Sequence, residues 1–94
     1  MIDLKIANRD DLSNSIYFQN YERIDESVIF DAIIEKLSAD STVILGQTQE
    51  LPYCLLKNCK LKDDSFDIIL DDNYGAYIVS TSNEVLKKII TYFD

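Results

Sequence analysis

Residues 63–94 read DDSFDIILDDNYGAYIVSTSNEVLKKIITYFD, and this stretch decides the fold. Phe66, Ile68 and Leu70 alternate with Asp67 and Ile69, the period of a half-buried strand over Phe66–Leu70. A partner strand follows, from Tyr74 or Gly75 to Ser80. Asn73 and Gly75 in the connection tolerate the positive φ that tight hairpin turns demand. Thr81, Ser82, Asn83 and Glu84 then form a capping box, in which the Thr hydroxyl and the Glu carboxylate each satisfy a free backbone N–H. In the helix beyond it, Val85, Leu86, Ile89, Ile90 and Phe93 fall on one side, and Asn83, Glu84, Lys87, Lys88 and Thr91 on the other. Lys87 and Lys88 suit the negative end of that helix.

The rest of the chain extends this pattern. Tyr53 to Leu61 reads as the preceding strand, with Pro52 at or before its start because proline has no N–H to give to a ladder. Thr42 to Leu45 is a short β-branched run that suits another strand, and Gly46 to Pro52, GQTQELP, reads as the loop between them. A helix is predicted from Glu26 to Ser38. Asp25 caps it, Ile24 and Ile29 make a hydrophobic staple, and Ile29, Phe30, Ile33, Ile34 and Leu37 form its core stripe. Met1 to Ala7 alternates as a strand with Ile2, Leu4 and Ile6 on one face. SIYFQNY suits a short strand with Ile16 and Phe18 inward, or a helical turn pairing Leu12 with Ile16; the strand is favoured.

Consecutive strands with short connections pair antiparallel. The expectation is an α+β two-layer sandwich, with a mainly antiparallel sheet of four to five strands and two amphipathic helices on one face. At 94 residues the chain has room for a single domain, residues 1–94, with a thin core. A hydrophobic content of 47% is enough for a folded globule despite the charge.

Nine basic and seventeen acidic residues give a formal net charge of -8, and the isoelectric point is near 4.3. Such a chain is repelled by nucleic acid and anionic membranes, since binding either needs Lys and Arg to displace counterions. It attracts basic partners instead. The start, MIDLKIANRDD, carries acids where an export signal needs a basic head and a long apolar run, and no stretch approaches the roughly 20 apolar residues of a membrane span. The expected location is cytoplasmic.

The residue types also narrow the chemistry. The chain has no histidine, hence no imidazole base and no Ser-His-Asp or Cys-His arrangement. Its two glycines, Gly46 and Gly75, build no phosphate-cradling loop. Cys54 and Cys59 cannot close a four-coordinate zinc site on their own. On one strand they lie on opposite faces, which disfavours a disulfide, and they read as buried free thiols. Asp71, Asp72 and Asn73 are oxygen donors of the kind calcium takes, but without the spacing of a cation loop. Asp67 and Asp71 could pair as glycosidase carboxylates do, as can any two acids in so acidic a chain. The expectation is no catalytic residue, no metal and no cofactor.

That leaves binding. Residues 63 to 72 hold Asp63, Asp64, Asp67, Asp71 and Asp72 with no Lys or Arg, and Tyr74 and Tyr77 follow. Carboxylates pair bidentately with arginine, and tyrosine supplies contact area at low entropic cost. These seven are the candidate partner-binding residues. In size, charge and missing catalysts the chain is similar to small acidic bacterial immunity proteins, although no family motif matches. That resemblance implies a protein that blocks the basic active site of a nuclease-type toxin. Two alternatives stand beside it: a phage-type nucleic-acid mimic that inhibits a DNA-handling enzyme, and a non-catalytic adaptor or oligomer subunit. The oligomeric state is open at this level.

Overall fold

A computed structural model describes residues 3–93. Five strands form one antiparallel sheet: β1 (Ser15–Tyr17), β2 (Val43–Glu50), β3 (Cys54–Leu61), β4 (Asp64–Asp71) and β5 (Gly75–Val79). Their order across the sheet is β1-β5-β4-β3-β2. Helix α1 (Glu26–Ser38) lies between β1 and β2 in the chain, and α2 (Asn83–Ile90) follows β5 and runs into a 3-10 turn, Thr91–Phe93. The fold is α+β, as the alternation in residues 63–94 implies.

The core lies on one face of the sheet. Ile16, Ile78 and Ile68 stand in one cross-strand row and are completely buried. Ile29, Ile33 and Leu37 of α1 and Val85, Leu86 and Ile89 of α2 join them in a single cluster. Burying each such side chain is worth about 1.5–3 kcal/mol. Helix α1 starts where the sequence predicts, with Asp25 Oδ1 accepting from Ser27 N at 2.9 Å. Ile24, before the cap, packs against the cluster that holds Ile29, as a staple does.

Four expectations are corrected. The N-terminal strand shrinks to a single bridge, Ile6 with Phe18. Residues 5–7 still lie along the free side of β1, with Ala7 N donating to Tyr17 O and Gln19 N to Lys5 O, both at 2.8 Å. Leu4 and Ile6 pack inward as their alternation implies; Met1 and Ile2 fall outside the described residues.

The loop expected at Gly46 to Pro52 is strand as far as Glu50. β2 is the outermost strand, so it buries little and needs no apolar alternation, and Gln and Thr serve. Its register shifts between Leu45 and Thr48. Gly46 sits at this bulge because a Cβ there would collide with the carbonyl of Asn58.

The cap of α2 is Ser82, not Thr81: its side chain accepts from Val85 N at 3.3 Å. The buried Ser80 hydroxyl accepts from Ser82 N at 3.0 Å and donates to Ser65 O at 2.7 Å. That anchoring moves the helix start one residue on, so Glu84 cannot complete a box. In the β4–β5 turn only Gly75 takes positive φ, at 76°; Asn73 does not.

Candidate functional site

β4 carries most of the predicted residues, and its pleat separates them. Asp67 and Asp71 lie on the face away from the helices, the face also occupied by Ile69; Asp64 shares the parity of Phe66 and Ile68. Asp63 sits in the turn before β4, and Asp72 and Tyr74 in the turn after it. With about 3.3 Å of rise per residue, the two ends of β4 stand about 23 Å apart. The seven residues therefore do not form one patch. Asp67, Asp71 and Tyr77 share the open face; Asp72 and Tyr74 extend it at one end; Asp63 and Asp64 stand at the other.

The open face has a structure of its own. Tyr17, Tyr77, Ile69, Leu56 and Gln49 are successive register partners across all five strands. The Tyr17 and Tyr77 rings lie 5.2 Å apart, tilted by 30°. Partial burial, reinforced by the negative Asp71 nearby, raises the Tyr77 hydroxyl pKa above the usual phenol value. In the next row Asn58 and Asp67 are register partners: Asn58 Oδ1 accepts from Gln49 Nε2 at 3.1 Å, and Asn58 Nδ2 donates to Asp67 Oδ1 at 2.7 Å. Asp67 is thereby held in place while its carboxylate keeps further acceptor capacity.

Asp71 is partly committed to its own turn. Its Oδ1 accepts from Asn73 N at 2.7 Å and from Tyr74 N at 3.1 Å. Tyr74 projects from that turn, 72% exposed. Below the turn a shallow hollow is lined by Asp25, Glu26, Asp71, Asp72, Tyr74 and Gly75. Glu26 is already engaged there: Oε1 accepts from Ala76 N at 2.9 Å, and Oε2 from Asn20 Nδ2. β1 pairs with β5 only as far as Tyr77, so Glu26 satisfies an N–H beyond its end. The Ser27 N–H and hydroxyl hold the Asp25 carboxyl below its ordinary pKa.

Tyr17 belongs to this face although it lies outside the acid cluster that the sequence singles out. Its signal was in SIYFQNY: a strand with Ile16 inward places Tyr17 outward. In the sequence Asp25 and Glu26 mark a helix start; only the fold brings them beside the β4–β5 turn.

The two cysteines are free. Cys59 pairs with Phe66 and Cys54 with Asp71 in the register, which puts the thiols on opposite faces. Burial pushes the Cys59 thiol up to about 11, so it stays protonated and inert at neutral pH. Among the described residues no group of three or more His, Cys, Asp or Glu is placed to hold a metal ion. No described helix is long and apolar enough to cross a membrane.

The class defined by this arrangement is an open-faced α+β sandwich whose bare sheet surface carries tyrosines, aliphatic residues and carboxylates. No protein-family model matches the chain, and no curated protein and no solved structure shows significant similarity to it.

Proposed function

We propose that this is a non-catalytic binding protein that neutralises a basic protein, as an immunity protein does when it blocks a nuclease-type toxin. The observation that carries the reading is the open sheet face, where the Tyr17–Tyr77–Ile69–Leu56 row runs between Asp67 and Asp71. Aromatic and aliphatic side chains supply area to exclude water, and the bordering carboxylates pair with arginine or lysine. A net charge of -8 speeds encounter with a basic surface and repels acidic ones.

The test is paired affinity capture from the host lysate at moderate salt, with wild-type protein and with the Asp67→Asn, Asp71→Asn double variant. Asparagine keeps the acceptor oxygens used by Asn58, Asn73 and Tyr74, so the variant retains its fold. The expected result is one stoichiometric basic protein held by the wild type, silenced by it, and released by the variant. Equal retention by both forms sinks the assignment of these acids. A DNA-handling enzyme displaced by DNA replaces this reading with mimicry.

A further inference from the structure

The sheet has two edges, and they are treated differently. β1 has three residues, and residues 5–7 run along its outer side. β2 has eight, and among the described residues no strand lies beyond it. Proteins blunt such edges with lysine, proline or short strands. β2 contains no Lys, Arg or Pro, only the bulge at Gly46.

The hydrogen-bond phase shows which groups β2 offers. Leu51 N donates to Cys54 O at 2.9 Å, so Leu51 faces β3. By antiparallel alternation Gln49 also bonds inward, while Thr48 and Glu50 turn N–H and C=O to the open side. Two copies related by a two-fold axis at Gln49 would place Thr48 of each opposite Glu50 of the other. Both residues of each such pair present outward groups, so the bonds are reciprocal, and the two Glu50 side chains are not opposed.

Charge admits a second copy at this edge. Residues 41–62 carry one acid, Glu50, against Lys57, Lys60 and Lys62; the other sixteen acids lie elsewhere. Glu50 is the one charged residue of β2, so two β2 edges meet without the acid excess that sets other surfaces of a chain at -8 against their copies, and Lys57, whose Nζ donates to Thr48 Oγ1 at 3.4 Å, stands in the row where Glu50 of the second copy would lie. Exposed apolar side chains gather there too, with Ile44 61%, Leu51 43% and Tyr53 77% exposed. We infer that β2 pairs antiparallel with β2 of a second copy, making a continuous ten-stranded sheet. The inference is independent of the proposed function, and it leaves the open face free on both copies.

Sedimentation velocity over a wide concentration range tests it. The expected result is a monomer–dimer equilibrium. Thr48→Pro removes an outward donor and leaves the β2–β3 bonds, and Gln49→Lys sets like charges against each other at the axis. Each should raise the dimer dissociation constant at least tenfold, with unchanged circular dichroism. Asp67→Asn, Asp71→Asn should leave the dimer intact. A monomer at every concentration overturns the inference, as does a dimer that the two edge variants leave unmoved or one that the open-face variant dissolves.

Discussion

Ile68 and Ile69 are neighbours in β4, of the same residue type, on opposite faces of one sheet. Ile68 is completely buried between Ile78 and the helices; Ile69 is half-buried between Tyr77 and Leu56 with no helix above it. The same contrast holds for Ile16 and Tyr17 in β1 and for Ile78 and Tyr77 in β5. Both faces are apolar along these rows. What makes one of them core is the pair of helices delivered to it by the chain before β2 and after β5. That bare apolar face is the surface on which the proposed function rests.

The largest effect separates these faces. Ile68→Ala should destabilise the protein by about 3 kcal/mol, because it loses buried methylenes and leaves a cavity among α1, β5 and β4. Ile69→Ala should cost less than about 1 kcal/mol. Urea midpoints at low protein concentration measure both. Similar losses would break the contrast and mean that the open face is covered in solution.

A second contrast runs along β4, between its two hairpins. At one end Gly75 takes a φ of 76°, and a Cβ there would meet the Glu26 carboxylate. Gly75→Ala should cost about 2 kcal/mol, from left-handed strain of about 1–2 kcal/mol and loss of the Glu26 bond to Ala76. At the other end Lys62 holds a φ of 58° in a two-residue turn. Lys62→Gly relieves strain there and should stabilise by about 0.5–1 kcal/mol, the left-handed cost less glycine's added chain entropy. Thermal melts of the two variants should shift in opposite directions. A loss in Lys62→Gly would show that the Lys62 side chain holds its hairpin by contacts stronger than the strain.

These contrasts also show what could be read from residues alone. Asp25 and the Ile29–Leu37 stripe announce α1 because capping and helical spacing are local. The Phe66–Leu70 alternation announces β4 for the same reason. β2 is not legible past Leu45 because an edge strand buries little, and Gln47, Thr48 and Gln49 carry no alternation to read. The α2 cap lies one residue beyond the predicted Thr81 because Ser80, bonded to Ser65 across the sheet, fixes where the helix starts. The candidate site was legible only in part. Counting acids along residues 63 to 72 groups side chains that a pleated strand sends to two faces and two ends. Tyr17 enters only through pairing of β1 with β5, a contact 60 residues away in the chain.

The smallest effect tests the rim of the covered face, where no side chain is deeply buried. Tyr92, in the 3-10 turn after α2, donates its hydroxyl to Asp40 Oδ2 at 2.5 Å. The other Asp40 oxygen accepts from Thr42 N at 2.8 Å and Thr42 Oγ1 at 2.7 Å. The C-terminal turn is thus tied to the connection between α1 and β2. The Tyr92 bond, then those from Thr42, lowers the Asp40 pKa from its ordinary 3.8. The same bond, with slight burial, raises the Tyr92 pKa above its ordinary 10.0. A lowered carboxyl pKa stabilises above the unfolded value and loses that contribution as pH falls through the folded one. A raised phenol pKa stabilises below the unfolded value and loses its contribution as pH rises through the folded one. The stability difference between wild type and Tyr92→Phe should therefore be flat between pH 3.8 and 10.0 and shrink outside that window on both sides. Urea titrations across the range would show it. Both groups are half-buried at the protein surface, where solvent still screens the bond, so the plateau should be small against the effect of Ile68→Ala. A difference that persists well below pH 3.8 would mean that the Tyr92 ring, packed at the margin of the core, responds to loss of its hydroxyl through packing and not through Asp40.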